Sequence, residues 1–269
     1  MPGALSGNAR RRNRQRDRSG AIGQSAAMIH LTRDGPVASL ALARPEARNA
    51  LPIAAWQALA AAAREVGDAR AVILRSDVPG IFSAGADVRE FEALQQDPAL
   101  RTAFRTAMRE AIEALAALPM PVIAAIDGGC FGAAVALILA ADIRVAGNHA
   151  EFATTPARLG LGYPEPDVAR LVAQLGKGMA SLMLFTGDRL APDEAKRIGL
   201  VELRSRKAID TASELAAAIA GNAPQAVRLL KRAITGGKGL DQAFDDAFGG
   251  AEFAEGIAAF RERRKPLYR

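Results

Sequence analysis

Cysteine is almost missing from this sequence. Cys130 is the only one, so no intrachain disulfide can form, as suits a reducing cytoplasmic setting. Histidine is nearly as scarce. His30 and His149 are the only two; neither has metal-site or triad spacing, so no metal is expected and Ser83 has no evident base partner. Aromatic residues make up 5% of the chain, which leaves Ala, Leu, Val and Ile to build the core. No apolar run reaches the roughly 20 residues that span a bilayer; the longest candidate, around residues 130–141, is too short. The basic N-terminus has no apolar stretch behind it, which excludes a secretory signal.

The net charge of +6 is unevenly placed. Residues 1–27 hold six arginines against one acid, Asp17, leaving 29 bases and 28 acids for the rest. A nearly neutral body is a poor polyanion binder, so no nucleic-acid partner is expected. Residues 1–27 lack apolar periodicity and read as a disordered basic leader. Either translation begins at Met28, or the leader is a basic tail for RNA or acidic surfaces.

From Val37 the pattern becomes regular. Short apolar runs at Val37–Leu42, Ala71–Arg75, Val122–Ile126 and Asp142–Val145 predict buried strands. Between them lie helical periods. Residues 51–66 carry Trp56, Leu59, Ala63 and Val66 at helical spacing. Residues 101–118 carry Phe104, Met108, Ile112, Leu115 and Leu118, with Arg105, Arg109 and Glu113 on the outer face. Beyond residue 206 only helices are predicted: 208–220, a Pro-started helix from Pro224 to Ile234, and 240–262. Strands alternating with helices make this an α/β protein.

Two segments carry chemistry. Ile81-Phe82-Ser83-Ala84-Gly85-Ala86-Asp87-Val88 is a loop of small residues, where backbone can approach a ligand and the N–H of Ala86 can face an oxygen; its bland reading is a turn. Ala125-Ile126-Asp127-Gly128-Gly129-Cys130-Phe131-Gly132-Ala133 runs from a buried strand into a helix starting near Gly132. The N–H of Ala133 would then be unpaired at a helix N-terminus; its bland reading is a tight strand-to-helix connection.

Together these segments resemble the paired signature of the crotonase superfamily, the enoyl-CoA hydratase/isomerase family. The resemblance covers about residues 29–265. Arg44-Pro45-Glu46-Ala47-Arg48-Asn49-Ala50-Leu51 is similar to its early RP-x-x-x-NAL motif. Phe82–Val88 is similar to its F-x-A-G-A-D loop, and Ala125–Asp142 follows its glycine-spaced frame. Phe185-Thr186-Gly187, Ala191–Ala195 and Ile198-Gly199-Leu200-Val201 resemble its T-G, E-A and G-L-V elements. Glu255-Gly256-Ile257, Phe260 and Arg264-Lys265-Pro266 resemble its C-terminal motif.

The resemblance implies a crotonase-like spiral of ββα repeats over residues 28–205 and a C-terminal helical region, 206–269, that mediates trimers or dimers of trimers. It implies an acyl-CoA ligand, with coenzyme A as part of the substrate and no separate cofactor. Ala86 and Ala133 would supply the two N–H groups of an oxyanion hole. Ser83 and Ala84 would pair with the pantetheine amides, and Arg48, Arg89, Arg264 and Lys265 would meet the CoA phosphates or adenine end. Each of these bases is also readable as solvated surface charge.

The sequence departs from the pattern where family hydratases place two glutamates. Those positions hold Ala136 and Pro156, and neither a methyl group nor a pyrrolidine ring transfers protons. Glu165, held between Pro164 and Pro166 in a loop where some relatives carry a third acid, becomes the candidate base; Asp167 is a candidate helix cap, and Tyr163 either orients a substrate or packs. The implied function is an enoyl-CoA hydratase/isomerase-like protein that binds an acyl-CoA thioester and performs isomerase- or lyase-type proton transfer. The alternative is a non-catalytic acyl-CoA carrier.

Overall fold

The computed structural model describes residues 28–268; the basic leader, 1–27, lies outside them. The first two strands, β1 (Ile29–Asp34) and β2 (Val37–Leu42), form an antiparallel hairpin. Gly35 takes the positive φ of 53° that its two-residue turn demands.

After the hairpin, each turn of the chain sends one strand to a large sheet and a shorter one to a small sheet, and then a helix. β3 (Ala50–Leu51) precedes α1 (Ile53–Arg64). Next come β4 (Ala71–Ser76), β5 (Ile81–Ser83), β6 (Gly85–Ala86), α2 (Phe91–Gln96) and α3 (Pro98–Ala116). The third turn is β7 (Val122–Ile126), β8 (Gly129–Phe131) and α4 (Ala133–Ile138). The fourth is β9 (Ile143–Ala146), β10 (Glu151–Ala153) and α5 (Glu165–Thr186). Then follow α6 (Pro192–Arg197), β11 (Leu203–Arg204), α7 (Ala208–Ala220), α8 (Pro224–Ile234), α9 (Leu240–Phe248) and α10 (Ala251–Glu262).

Among the described residues the large sheet runs β1-β2-β4-β7-β9-β11, parallel from β2 onward, while β10-β8-β5 and β3-β6 form the two small sheets. This is the expected α/β spiral.

The strand period of two decides the core. Leu40, Val72, Leu74, Val122 and Ala124 join the main cluster with Trp56 and Leu59 of α1 and Ile112 of α3. Ala71, Ile73, Ile123, Ala125 and Val145 form a second cluster with Ala208, Ala212 and Ala216 of α7. Alanine at every fourth position lets α7 lie close on the sheet. The helix just past residue 206 is thus part of the sheet's packing, and Asp127 Oδ1 accepts the Ala208 N–H (3.0 Å) at its start.

Two expectations change. The single helix predicted over 240–262 is two, α9 and α10, interrupted at Gly249-Gly250. Among the described residues one helix, α5, is long and apolar enough to cross a membrane by length and composition, although no such run was expected. It is broken at Gly176 (φ 75°, ψ 158°), so neither piece keeps helical geometry over the roughly 20 residues a span requires.

Candidate active site

The loop after β4 is fixed by Asn49, which is fully buried with φ 53°. Its Oδ1 accepts the Arg44 N–H (2.7 Å), and its Nδ2 donates to Ser76 Oγ (2.8 Å) and the Phe82 carbonyl (3.0 Å). Ser83 Oγ donates to the Asn49 carbonyl (2.6 Å) and accepts the Gly85 N–H (3.1 Å). The Ala84 N–H donates to the Arg48 carbonyl (3.0 Å), and the Asp87 N–H to the Leu51 carbonyl (3.1 Å). Successive amides of an extended strand point to opposite edges. With Asp87 turned towards β3, the Ala86 N–H faces the other way.

On that other side lies the second segment. Gly132 (φ 54°, ψ −128°) turns the chain from β8 into α4. Its N–H donates to the Ala153 carbonyl (2.9 Å), and its own carbonyl accepts the Val135 N–H (2.9 Å) and the Tyr163 hydroxyl. Ala133 opens the helix, so its N–H has no intrahelical acceptor. The expected helix is present but only six residues long. The amide itself therefore matters more than any dipole.

Gly85 brings the segments together. Its φ is 90°, and a β-carbon there would stand 2.5 Å from the Phe131 carbonyl oxygen and 3.0 Å from the Ala133 nitrogen. Only a residue without a side chain lets Ala86 and Ala133 share one wall. They line a cavity of about 380 Å³ together with Ala84 and Gly132, a volume within the usual range for small-molecule sites. The opposite walls are apolar, with Phe91, Phe104, Met108 and Leu161.

Among the described residues, no Asp, Glu, His or Lys lines this cavity; its ionisable side chains are Arg105 and Tyr163. Arg105, expected on the outer face, is exposed yet also borders the cavity, one residue from inward Phe104. Of the two positions that the resemblance matches to hydratase glutamates, Pro156 lines the cavity and Ala136 is buried in the core.

Glu165, the candidate base, does not line this cavity. It is the exposed first residue of α5 and lies outside the cavity wall. The preceding Pro164 lines the wall, and the helix starts before the carboxylate can turn inward. Asp167, three residues into the first turn, is the buried carboxylate of this loop. Burial raises its pKa, partly offset by Arg170 and Arg109. It lines a narrow crevice behind Arg105, Met108 and Pro164.

The basic residues are mostly committed elsewhere. Arg89 makes a bidentate pair with Asp87 (2.8–3.2 Å), which also binds Arg44 Nη1 (2.6 Å). These partners, Arg89 first, hold the Asp87 carboxyl well below the usual carboxylate range against its burial. Arg48 is exposed, and its carbonyl rather than its guanidinium serves the loop. Arg264 is paired with Glu255 and Glu262. The chain end beyond it docks at Arg70, whose Nη2 donates to the Tyr268 carbonyl (2.7 Å). Arg70 precedes β4 and the site follows it, so six residues of strand, about 20 Å, separate them. Neither Arg264 nor Lys265 lines the cavity. Sequence reasoning missed the Asn49 clip, although its place in the NAL motif was visible, and gave no signal for the Tyr163–Gly132 bond.

Comparison with known proteins agrees with this architecture. The family model described as Enoyl-CoA hydratase/isomerase matches residues 32–269. The chain is 38% identical over 250 residues to the mitochondrial enoyl-CoA hydratase domain-containing protein 2 of Bos taurus, covering 86% of this chain and 84% of that one. It is 32% identical over 251 residues to the short-chain-enoyl-CoA hydratase of Clostridium acetobutylicum (88% and 95%). Among solved structures, an enoyl-CoA hydratase/isomerase family protein from Hyphomonas neptunium superposes with a TM-score of 0.86 at 35% identity, covering 90% of this chain and 97% of that one. The fold, the order of the motifs and these relatives together make the chain a member of the enoyl-CoA hydratase/isomerase family, within the crotonase superfamily.

Proposed function

We propose that the chain binds an acyl-CoA thioester with its carbonyl oxygen between the N–H groups of Ala86 and Ala133, and that it works through the thioester enolate. The carrying observation is the convergence of the two segments at Gly85, within 3.0 Å of the Ala133 nitrogen for a β-carbon placed there. Two preorganised donors aimed at a developing oxyanion in a water-poor cavity are worth several kcal/mol; losing one donor in comparable sites costs roughly 2.7–4 kcal/mol.

The base-free wall supports a lyase-type reaction over hydration or a double-bond shift. Adding water by paired carboxylates needs two acids, and shifting a double bond needs one. A Cα carboxylate needs neither. The Cα–CO₂⁻ bond breaks, its electron pair enters the enolate held by Ala86 and Ala133, CO₂ departs, and Cα takes a proton from water. Apolar walls favour this direction, because they disfavour a carboxylate relative to neutral CO₂. Arg105 at the cavity edge offers a countercharge while the anionic substrate enters. The same absence of a base supports a second reading, a carrier that keeps the thioester cradle without turnover.

Incubation with saturated, 2-enoyl and 2-carboxyacyl CoA thioesters separates these readings. CO₂ release from 2-carboxyacyl-CoA supports the lyase. Micromolar binding of all three classes without turnover supports the carrier. Hydration of 2-enoyl-CoA at an ordinary rate refutes the base-free reading, and failure to bind any thioester refutes the proposal.

We also read the C-terminal helices as a self-association surface. Ile234 and Phe260 are exposed by more than four-fifths, and Phe244, Phe248 and Phe253 form an aromatic row. Apolar area of this kind marks an interface, and trimers or dimers of trimers are the family expectation; light scattering on the purified chain tests it.

A further inference from the structure

Tyr163 touches the candidate oxyanion site through one peptide bond. The unit joining Gly132 to Ala133 is planar and trans, so its C=O and N–H point in opposite directions. Whatever fixes the Gly132 carbonyl also aims the Ala133 N–H. Gly132 sits at φ 54°, ψ −128°, a conformation open to glycine and to few others. Glycine's freedom also makes that peptide easy to rotate, so its direction must be set from outside.

Two donors set it: the Val135 N–H at 2.9 Å and the Tyr163 hydroxyl. Val135 belongs to the same short helix and would move with it. Tyr163 belongs to a different element, the turn between Gly160 (φ 72°) and the start of α5, and reaches back across 31 residues. Its ring lines the cavity, and burial pushes its phenol pKa up, so the hydroxyl stays a donor at any working pH. A carbonyl that accepts two hydrogen bonds also polarises its peptide, which strengthens the N–H on the far side as a donor.

We propose that Tyr163 is a positioning residue for this site: its hydroxyl holds the Gly132 carbonyl so that the Ala133 N–H faces the cavity and donates strongly to the ligand oxygen. This rests on the thioester reading above, and the test keeps the two apart.

The probe is butyryl-CoA carrying ¹³C at the thioester carbonyl, bound to the full chain and read by isotope-edited infrared spectroscopy. Wild type is expected to lower the carbonyl stretch on binding. Tyr163→Phe keeps the ring and removes one oxygen. It is expected to bind the probe within about threefold of wild type but to lose more than half of the frequency shift. Turnover is expected to fall tenfold or more with little change in KM, a smaller loss than the 10²–10³ of deleting a donor outright. A full shift in Tyr163→Phe overturns the inference and leaves the thioester reading standing. Binding without any shift in wild type overturns both. If Tyr163→Phe does not fold, fluorinated tyrosines introduced at position 163 replace it. A shift that grows with phenol acidity supports the inference, and one that stays constant across the series overturns it.

Discussion

Gly85→Ala is the substitution on which the two-segment site turns. The added methyl carbon would lie 2.5 Å from the Phe131 carbonyl oxygen and 3.0 Å from the Ala133 nitrogen, both backbone atoms with no rotamer to yield. Contacts of this kind essentially never close below 3.0 Å, so the segments must part by at least about half an ångström. Overpacking of this sort costs roughly 1–3 kcal/mol, and forcing an alanine to φ 90° adds about 1–2 kcal/mol. At about 2–4 °C per kcal/mol for a chain of this size, the melting temperature should fall by roughly 4–20 °C. Turnover should suffer beyond that. Misplacement by about 1 Å costs on the order of 10²-fold, so the variant should lose about ten- to hundredfold in kcat per folded molecule. Gly162→Ala is the control, because Gly162 lines the same cavity with nothing within 4 Å of its would-be β-carbon. The assay pairs thermal melts with turnover on whichever thioester the wild type processes. Gly85→Ala with wild-type kcat, or Gly162→Ala equally impaired, refutes the claim that close approach of these segments builds the site.

Other consequences follow from the charges around the cavity. Glu165→Gln should leave kcat within about twofold, since its exposed carboxylate does not line the cavity; a hundredfold loss in steady-state turnover would restore it as the base. Asp87 has a folded pKa depressed by Arg89 and Arg44. Its contribution to stability is therefore complete above the unfolded value of about 3.9 and lost as pH falls through the folded value. Melts of wild type and Asp87→Asn should differ by a constant amount above pH 5 and converge only below pH 4. Asp167 has the opposite sign, because burial raises its folded pKa and the ionised form costs stability above it. Asp167→Asn should melt higher than wild type at pH 7–8, with the gain fading towards pH 4.

What the sequence made legible depended on which force fixed each part. β2, β7, α7 and α8 fall on the residues that apolar runs, helical period and the Pro224 start predict, because those signals lie within each segment. β3, β6, β8 and β10 are two or three residues long. They have no period to read and exist because neighbours hold them, as Asn49 holds the turn that leads into β3. Glu165 was misplaced for the same reason. Its setting between prolines was read as a loop, whereas Glu165 opens α5, and whether it faced inward depended on where that helix starts. Arg264 depended likewise on where the chain end docks. Phe104 and Met108 were readable as inward, and Arg105, about 100° further round the helix from Phe104, sits at the edge such a stripe leaves open.

The candidate site presents the harder case, because the chemistry proposed for it belongs to the backbone. Ala86 and Ala133 have side chains that could be exchanged with many others in the chain without altering composition, period or charge. What marks them is the residue before each. Gly85 (φ 90°) and Gly132 (φ 54°) hold conformations costly for other residues, and Gly85 also has no room for a side chain. In a sequence with 25 glycines, two that each precede an alanine say nothing singly. They become informative as a pair, because the proposed site needs both amides at one oxygen and neither segment alone can enclose it. A search for catalytic side chains would pass over this chain, since its cavity offers an arginine and a tyrosine. By the reasoning above, neither is required to remove a proton. In the proposed site the tyrosine matters because it holds a carbonyl, and the two alanines because they offer their amides to the ligand.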